Sequence, residues 1–188
     1  MSRPVTARTM KQRGFTLVEL LIVVIILAIL AAIVIPQFSG ATTDTREAAL
    51  DSNLGGLRNA IELYKAQHAA YPGAGASSGG SCTATKGTGA AASAQAFIDH
   101  LLMYTDASGN ACSIGDTTFK YGPYLRKAVP NDAITQKGSV AGDIAMTTGG
   151  APIVPTVTTG GWAYDTKSGQ IVMNSTTNDS KGKAFYTH

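Results

Sequence analysis

Gly14-Phe15-Thr16-Leu17-Val18-Glu19-Leu20-Leu21-Ile22-Val23-Val24-Ile25-Ile26-Leu27-Ala28-Ile29-Leu30-Ala31-Ala32-Ile33-Val34-Ile35-Pro36 decides the fold. From Phe15 to Ile35 the only ionisable side chain is Glu19. A helix of this length rises roughly 30 Å, the thickness of a bilayer's hydrocarbon layer. Arg3, Arg8, Lys11 and Arg13 precede it, with no acid among the first fourteen residues. Basic residues on one flank of an apolar span hold that flank in the cytoplasm, so the chain beyond Pro36 is expected on the far side of the membrane. Hydropathy and basicity alone leave three readings open: a membrane anchor, a more specialised segment, or a secretory signal peptide cleaved near the small residues Ala28 to Ala32. Glu19 separates them. A carboxyl group is costly inside hydrocarbon, and one placed at the start of an otherwise uncharged span implies a partner.

The run Arg13-Gly14-Phe15-Thr16-Leu17-Val18-Glu19-Leu20 closely resembles the class III signal of type IV prepilins and type II secretion pseudopilins. The resemblance covers about residues 10–40, with a looser echo in the C-terminal hairpin. It implies a leader of residues 1–14, cut after Gly14 by a prepilin peptidase that then methylates the new amine of Phe15. It further implies a transmembrane and assembly helix over 15–36, in which Glu19 meets the free amine of a neighbouring subunit's Phe15. Pro36 stands where many family members carry a proline, and a helix kink is expected there. The implied partners are copies of the same chain, related minor subunits, the peptidase, an inner-membrane assembly platform and the membrane itself. The implied location is the inner membrane, single-pass with a periplasmic C-terminal domain, and then a filament that can reach the cell surface.

Physical reasoning reaches the same pairing. Phe15 and Glu19 lie one helical turn apart, and apolar helices packed with an axial offset bring one chain's carboxylate to another's amine. Such a pair sets a register that apolar packing alone specifies poorly.

The formal net charge of +3 is misleading. Four of the fifteen basic residues precede Phe15, leaving eleven against twelve acids over the 174 residues that follow Gly14. Charge therefore gives no reason to expect a nucleic-acid partner. Cys82 and Cys112 fall on the exported side, where a disulfide persists, and closing that loop is worth roughly 3–4 kcal/mol in the chain-entropy model.

Residues 37–71 continue as the amphipathic half of the long helix. Leu50, Leu54, Leu57, Ile61 and Tyr64 recur in steps of four and three, while Arg46, Glu47, Asp51, Arg58, Glu62 and Lys65 fall largely off that stripe. Gly55-Gly56 weaken the helix, which fits either local melting or close backbone packing on the sheet. Tyr71-Pro72-Gly73 ends it. Residues 72–188 form the globular part. A Gly/Ala/Ser/Thr loop over 73–92 leads to a short helix over 93–104, and strands follow from Thr117. Pro152 and Pro155 confine any strand near them to an edge. Trp162 to Asn174 reads as a hairpin in which Trp162 and Tyr164 share one face, Ile171 and Met173 share another, and Gly169 takes the left-handed turn position. Lys183-Ala184-Phe185-Tyr186 is a candidate last strand.

The expected fold is α+β and pilin-like, a long N-terminal helix packed on a small antiparallel sheet with a loop and short helix between. No catalytic set is expected: His68, His100 and His188 are isolated in sequence, and the cysteines lack redox spacing. No cofactor or metal site is assigned. The resemblance raises calcium, but the Asp-Pro-Trp-Gly-like motif that accompanies it in major pseudopilins is missing here. Asp132 and Asp143 flank a loop with cation-ligand chemistry, although solvated surface carboxylates are the plainer reading. The expected role is a structural subunit of a type II secretion-type pseudopilus. A type IV pilin for adhesion, motility or DNA uptake, and a signal-anchored exported binding domain, are the alternatives.

Overall fold

The computed structural model describes residues 14–150 and 152–188. The chain forms two compact units, one up to Thr42 and one from Thr43 to His188. Helix α1, Leu17–His68, contributes to both. In the first unit, the described side chains from Leu17 to Val34 are all exposed, an apolar surface with no protein packed on it. Pro36 lies within α1, but the side chains of residues 35–39 fall outside the described ones, and so does the kink expected there. Residues 1–13 of the 1–14 leader are also outside them.

The second unit is α+β. Its core is laid down by the α1 stripe: Leu50, Leu54, Leu57, Ile61 and Tyr64 are each at most 2% exposed. Each such side chain contributes about 1.5–3 kcal/mol by leaving water. Helix α2, Ala94–Leu102, adds Phe97 and Leu101 to the same core. Ser93 caps its N-terminus by accepting from Ala96 N–H at 3.1 Å, which satisfies one of the donors a helix start leaves open.

Two sheets complete the unit. Strands β1, Tyr104–Thr105, and β2, Ala111–Cys112, form an antiparallel pair beside the Cys82–Cys112 disulfide, under which Phe119 is buried. Strands β3, Ile144–Thr147, β4, Trp162–Asp165, and β5, Ile171–Met173, form a sheet in the order β3-β4-β5. The β4–β5 hairpin is antiparallel, with Trp162 opposite Met173 and Tyr164 opposite Ile171. The third strand corrects the all-antiparallel expectation: β3 joins β4 in parallel. The proline-bearing segment after β3 carries the chain back to start β4 in the same direction, and its described residues contribute no strand. Both faces of β4 are covered. Trp162 and Tyr164 join the α1 core, while Ala163 packs with Val172 and Ile153 on the other side. Gly169 has φ +74° beside the Tyr71 ring, the left-handed turn position expected of it.

Three further expectations are revised. Helix α1 ends at His68, where Ala69 enters the left-handed region at φ +56°, three residues before the Pro72 stop signal. Residues 183–186 make no strand. Ala184 forms an isolated bridge to Asn178, and Phe185–Thr187 close into a single 3-10 turn that buries Phe185. The Gly55-Gly56 pair is not a close-packing site, because a Cβ added at either glycine meets nothing within 4 Å.

The histidines are not isolated in space. His68 stacks on Tyr64 with ring centroids 4.1 Å apart, and His100 stacks on the same ring at 5.0 Å. His100 is 1% exposed and accepts from Gly73 N–H through Nδ1 at 2.8 Å, which fixes a neutral ring. Burial drives its pKa down to about 4, with the proximity of His68 working in the same direction.

Two outcomes follow from this packing. Gly56→Ala adds helix propensity in open space, so urea unfolding should show a gain of about 1 kcal/mol, and a loss would mean that the glycine has a packing role. An unfolded histidine takes up a proton near pH 6.5, whereas folded His100 resists it until about pH 4. Stability should therefore fall by up to about 3 kcal/mol as pH drops through that window. His100→Gln should flatten this part of the pH profile, and a profile identical to wild type would refute the assignment.

Candidate functional site

The first unit holds the residues singled out for processing and assembly. Gly14, Phe15 and Thr16 precede α1, and Glu19 stands in its first turn. Thr16 and Glu19 form a reciprocal cap. Thr16 N–H donates to Glu19 Oε2 at 2.9 Å and the Thr16 hydroxyl donates to the same oxygen at 2.7 Å, while Glu19 N–H donates to Thr16 Oγ1 at 3.2 Å. This is a capping box, in which a Thr before the helix and a Glu three residues later satisfy each other's open backbone donors. The carboxylate also lies at the positive end of the helix dipole. Glu19 therefore has a partner inside its own chain, which a reading aimed at a neighbouring subunit overlooked. The signal was present as Thr16-x-x-Glu19 directly before the apolar run. Phe15 is 83% exposed, and the described span behind it carries no charged side chain other than Glu19.

In the second unit, buried carboxylates hold the loops. Asp99 Oδ2 accepts from the Ser77 hydroxyl at 2.6 Å and from Thr88 N–H at 2.8 Å, tying the Gly/Ser-rich loop to α2. Asp132 is fully buried and accepts from Ile134 N–H, the Thr135 amide and hydroxyl, and Gly161 N–H. It is thus neither the solvated surface group expected nor a free cation ligand. Asp143 Oδ2 accepts from Gly138 N–H at 3.2 Å. Among the described residues, no group of three or more His, Cys, Asp or Glu side chains is arranged to hold a metal ion.

Asp165 accepts at the β4–β5 turn from Thr147, Gly150, Lys167 and Ser168. Burial works against its charge, but the Gly150 and Ser168 amides and the Thr147 and Ser168 hydroxyls outweigh it and hold the carboxyl well below its usual range. Glu47 lies off the apolar stripe yet is 8% exposed, because it accepts from Ser180 N–H at 2.7 Å and the Ser180 hydroxyl at 2.8 Å. Its position three residues before Leu50 gave the signal, since that spacing puts it on the stripe's edge.

The comparisons with known proteins bear on the N-terminal segment and on about a third of the chain. Residues 9–35 match the family model described as the prokaryotic N-terminal methylation motif. The type II secretion system core protein G of Escherichia coli (strain K12) is 38% identical over 64 residues, which is 34% of this chain and 44% of that protein. The proteins of the same description from Vibrio cholerae and Pseudomonas aeruginosa are 39% and 37% identical over 62 residues, each covering 33% of this chain and 42% and 44% of theirs. The chain thus spans less than half the length of the curated relatives it matches. No solved structure matches.

Replacing Thr16 with Val removes both hydroxyl bonds of the cap. Amide exchange of Leu17 to Glu19 in micelles should then speed up several-fold, and unchanged exchange would show that the cap does not hold the helix start. The chain carries the prokaryotic N-terminal methylation motif at its start, and across about a third of its length its relatives are type II secretion system core proteins G.

Proposed function

We propose that this chain is a structural subunit of a type II secretion pseudopilus, whose activity is assembly rather than catalysis. The observation that carries the reading is the exposed helical surface from Leu17 to Val34, which bears a single carboxylate, Glu19, inside the methylation motif. Such a surface needs lipid before assembly and apolar helices after it. In this reading the span holds the chain in the inner membrane, a prepilin peptidase cuts between Gly14 and Phe15 and methylates the Phe15 amine, and an inner-membrane platform stacks the processed chains. Copies of this chain and related minor subunits build the filament, with the second unit on the periplasmic side. The Cys82–Cys112 disulfide suits that oxidising compartment. The relatives' description as type II secretion system core proteins supports the secretion pseudopilus over a type IV pilus.

Intact-mass measurement of the protein from its host should show a chain starting at Phe15 with one added methyl group. A start after Ala31 or later would mean ordinary secretion and would overturn the reading. Glu19→Ala should leave membrane insertion unchanged while lowering incorporation into filaments at least tenfold, and a normal filament yield from that variant would sink the pairing of Glu19 with a neighbour's amine.

A further inference from the structure

The segment after β5 returns to α1 through three fastenings. Ser180 donates its amide and hydroxyl to Glu47, Arg58 donates to the His188 main-chain oxygen at 2.8 Å, and the His188 ring lies between two carboxylates. The His188 side chain is only 8% exposed. Its Nδ1 donates to Asp51 Oδ1 of α1 at 2.7 Å, and its Nε2 stands 3.4 Å from Asp179 Oδ2. The second contact is an ion-pair distance rather than a hydrogen bond. Asp179 is positioned through its other oxygen, to which Lys181 N–H and Lys183 N–H donate at 2.8 and 2.7 Å. Asp44, Glu47 and Lys181 line the groove beside the ring, and the Phe185 ring packs on it with centroids 5.7 Å apart. Among the described residues, only Asp51 and Asp179 form ion pairs with the ring.

A neutral imidazole carries one N–H and one lone pair, whereas imidazolium carries N–H on both nitrogens. Only the charged ring presents a hydrogen to both carboxylates, and the neutral ring turns a lone pair toward one of them. We infer that His188 is an acid-held latch: its protonated ring bridges Asp51 on α1 and Asp179 in the following turn, and loss of one ring proton to solvent loosens the 180–188 segment from α1. Asp179 carries the imprint of the pair. Burial works against its charge, but the Lys183 and Lys181 amides and the His188 ring hold its carboxyl below the usual range. Imidazole is the side chain that ordinarily changes charge between about pH 5 and 8, so of the three fastenings this one responds to pH in that range. The latch contributes fully below about pH 6.5, where an unfolded histidine is also charged, and its contribution is lost as pH rises through the titration of the folded ring. His100 acts with the opposite sign, being lost as pH falls. Global stability sums the two, so the latch is read locally. The inference does not depend on filament assembly.

The full-length chain in detergent micelles, with nitrogen-15 in its histidines, should show His188 protonated on both ring nitrogens at about pH 5.5. Asp51→Asn, at an exposed site on α1, should move the ring's titration to lower pH by about 1 unit, and Asp179→Asn, whose amide oxygen can still accept from Lys181 and Lys183, should move it the same way. Hydrogen-exchange protection of residues 180–188, corrected for intrinsic rates, should fall several-fold between about pH 5.5 and 8 in the wild type and stay level in His188→Gln. Ser180→Ala removes a fastening that has no imidazole, so it should lower protection equally at both pH values. A His188 ring with a single proton at about pH 5.5, a titration unmoved by either Asp substitution, or a pH dependence of protection that survives His188→Gln would each overturn the latch.

Discussion

The second unit depends on carboxylates placed where loops would otherwise leave backbone N–H groups unsatisfied. Its strands are two to four residues long, so ladder hydrogen bonds account for little of its backbone. A buried donor without a partner costs about 1–3 kcal/mol, and a fold with this many loops would not survive many of them. Asp99, Asp165 and Glu47 each gather two or more donors from a turn or loop and fasten it to a regular element, and Asp132 ties its own turn to Gly161 just ahead of β4. At Asp165 the surrounding amides and hydroxyls hold the carboxyl below its usual range. The disulfide supplies the same kind of constraint to the 73–92 loop, whose side chains are too small to anchor it by packing.

The apolar framework was readable because it is periodic. Leu50 to Tyr64 repeat at helical spacing and are buried, Phe97 and Leu101 repeat on the short helix, and Trp162 and Tyr164 alternate on a strand. Periodicity carries no information about strand direction, and this is why the parallel placement of β3 was not foreseen: Ile144–Thr147 has the same pattern in either orientation. Nor does it report a carboxylate hub. Asp132 has the composition of a surface turn, and its burial follows from Gly161 N–H, which is 29 residues away in the chain. The Gly55-Gly56 pair shows the limit from the other side, since a glycine's composition does not say whether its missing side chain makes room for something.

The N-terminal site was more legible than the domain, because its chemistry is local in sequence. A glycine, an aromatic residue, a threonine and a glutamate ahead of an uncharged span lie within six residues of one another. Attention to the glutamate's cost in lipid pointed outward to another chain, whereas the shorter-range rule, a Thr three residues before a Glu at a helix start, pointed inward. The outward reading came from energetics and the inward one from backbone donors, and each describes a different demand on the same carboxylate.

These demands do not compete. Both Thr16 donors converge on Glu19 Oε2, and Oε1 takes part in neither bond. An ionised carboxylate has about four acceptor positions over its two oxygens, so a cap that uses two of them on one oxygen leaves the other for a charged donor. In the proposed filament that donor is the Phe15 amine of a neighbouring chain. A carboxylate swinging freely would have to give up rotamer entropy to meet that amine, and the cap has already removed this freedom by holding the side chain against the helix start. In that proposed filament Thr16 would hold Glu19 ready for the neighbour, so a substitution at Thr16 that leaves the carboxylate in place is expected to weaken assembly there, though less than loss of the carboxylate itself.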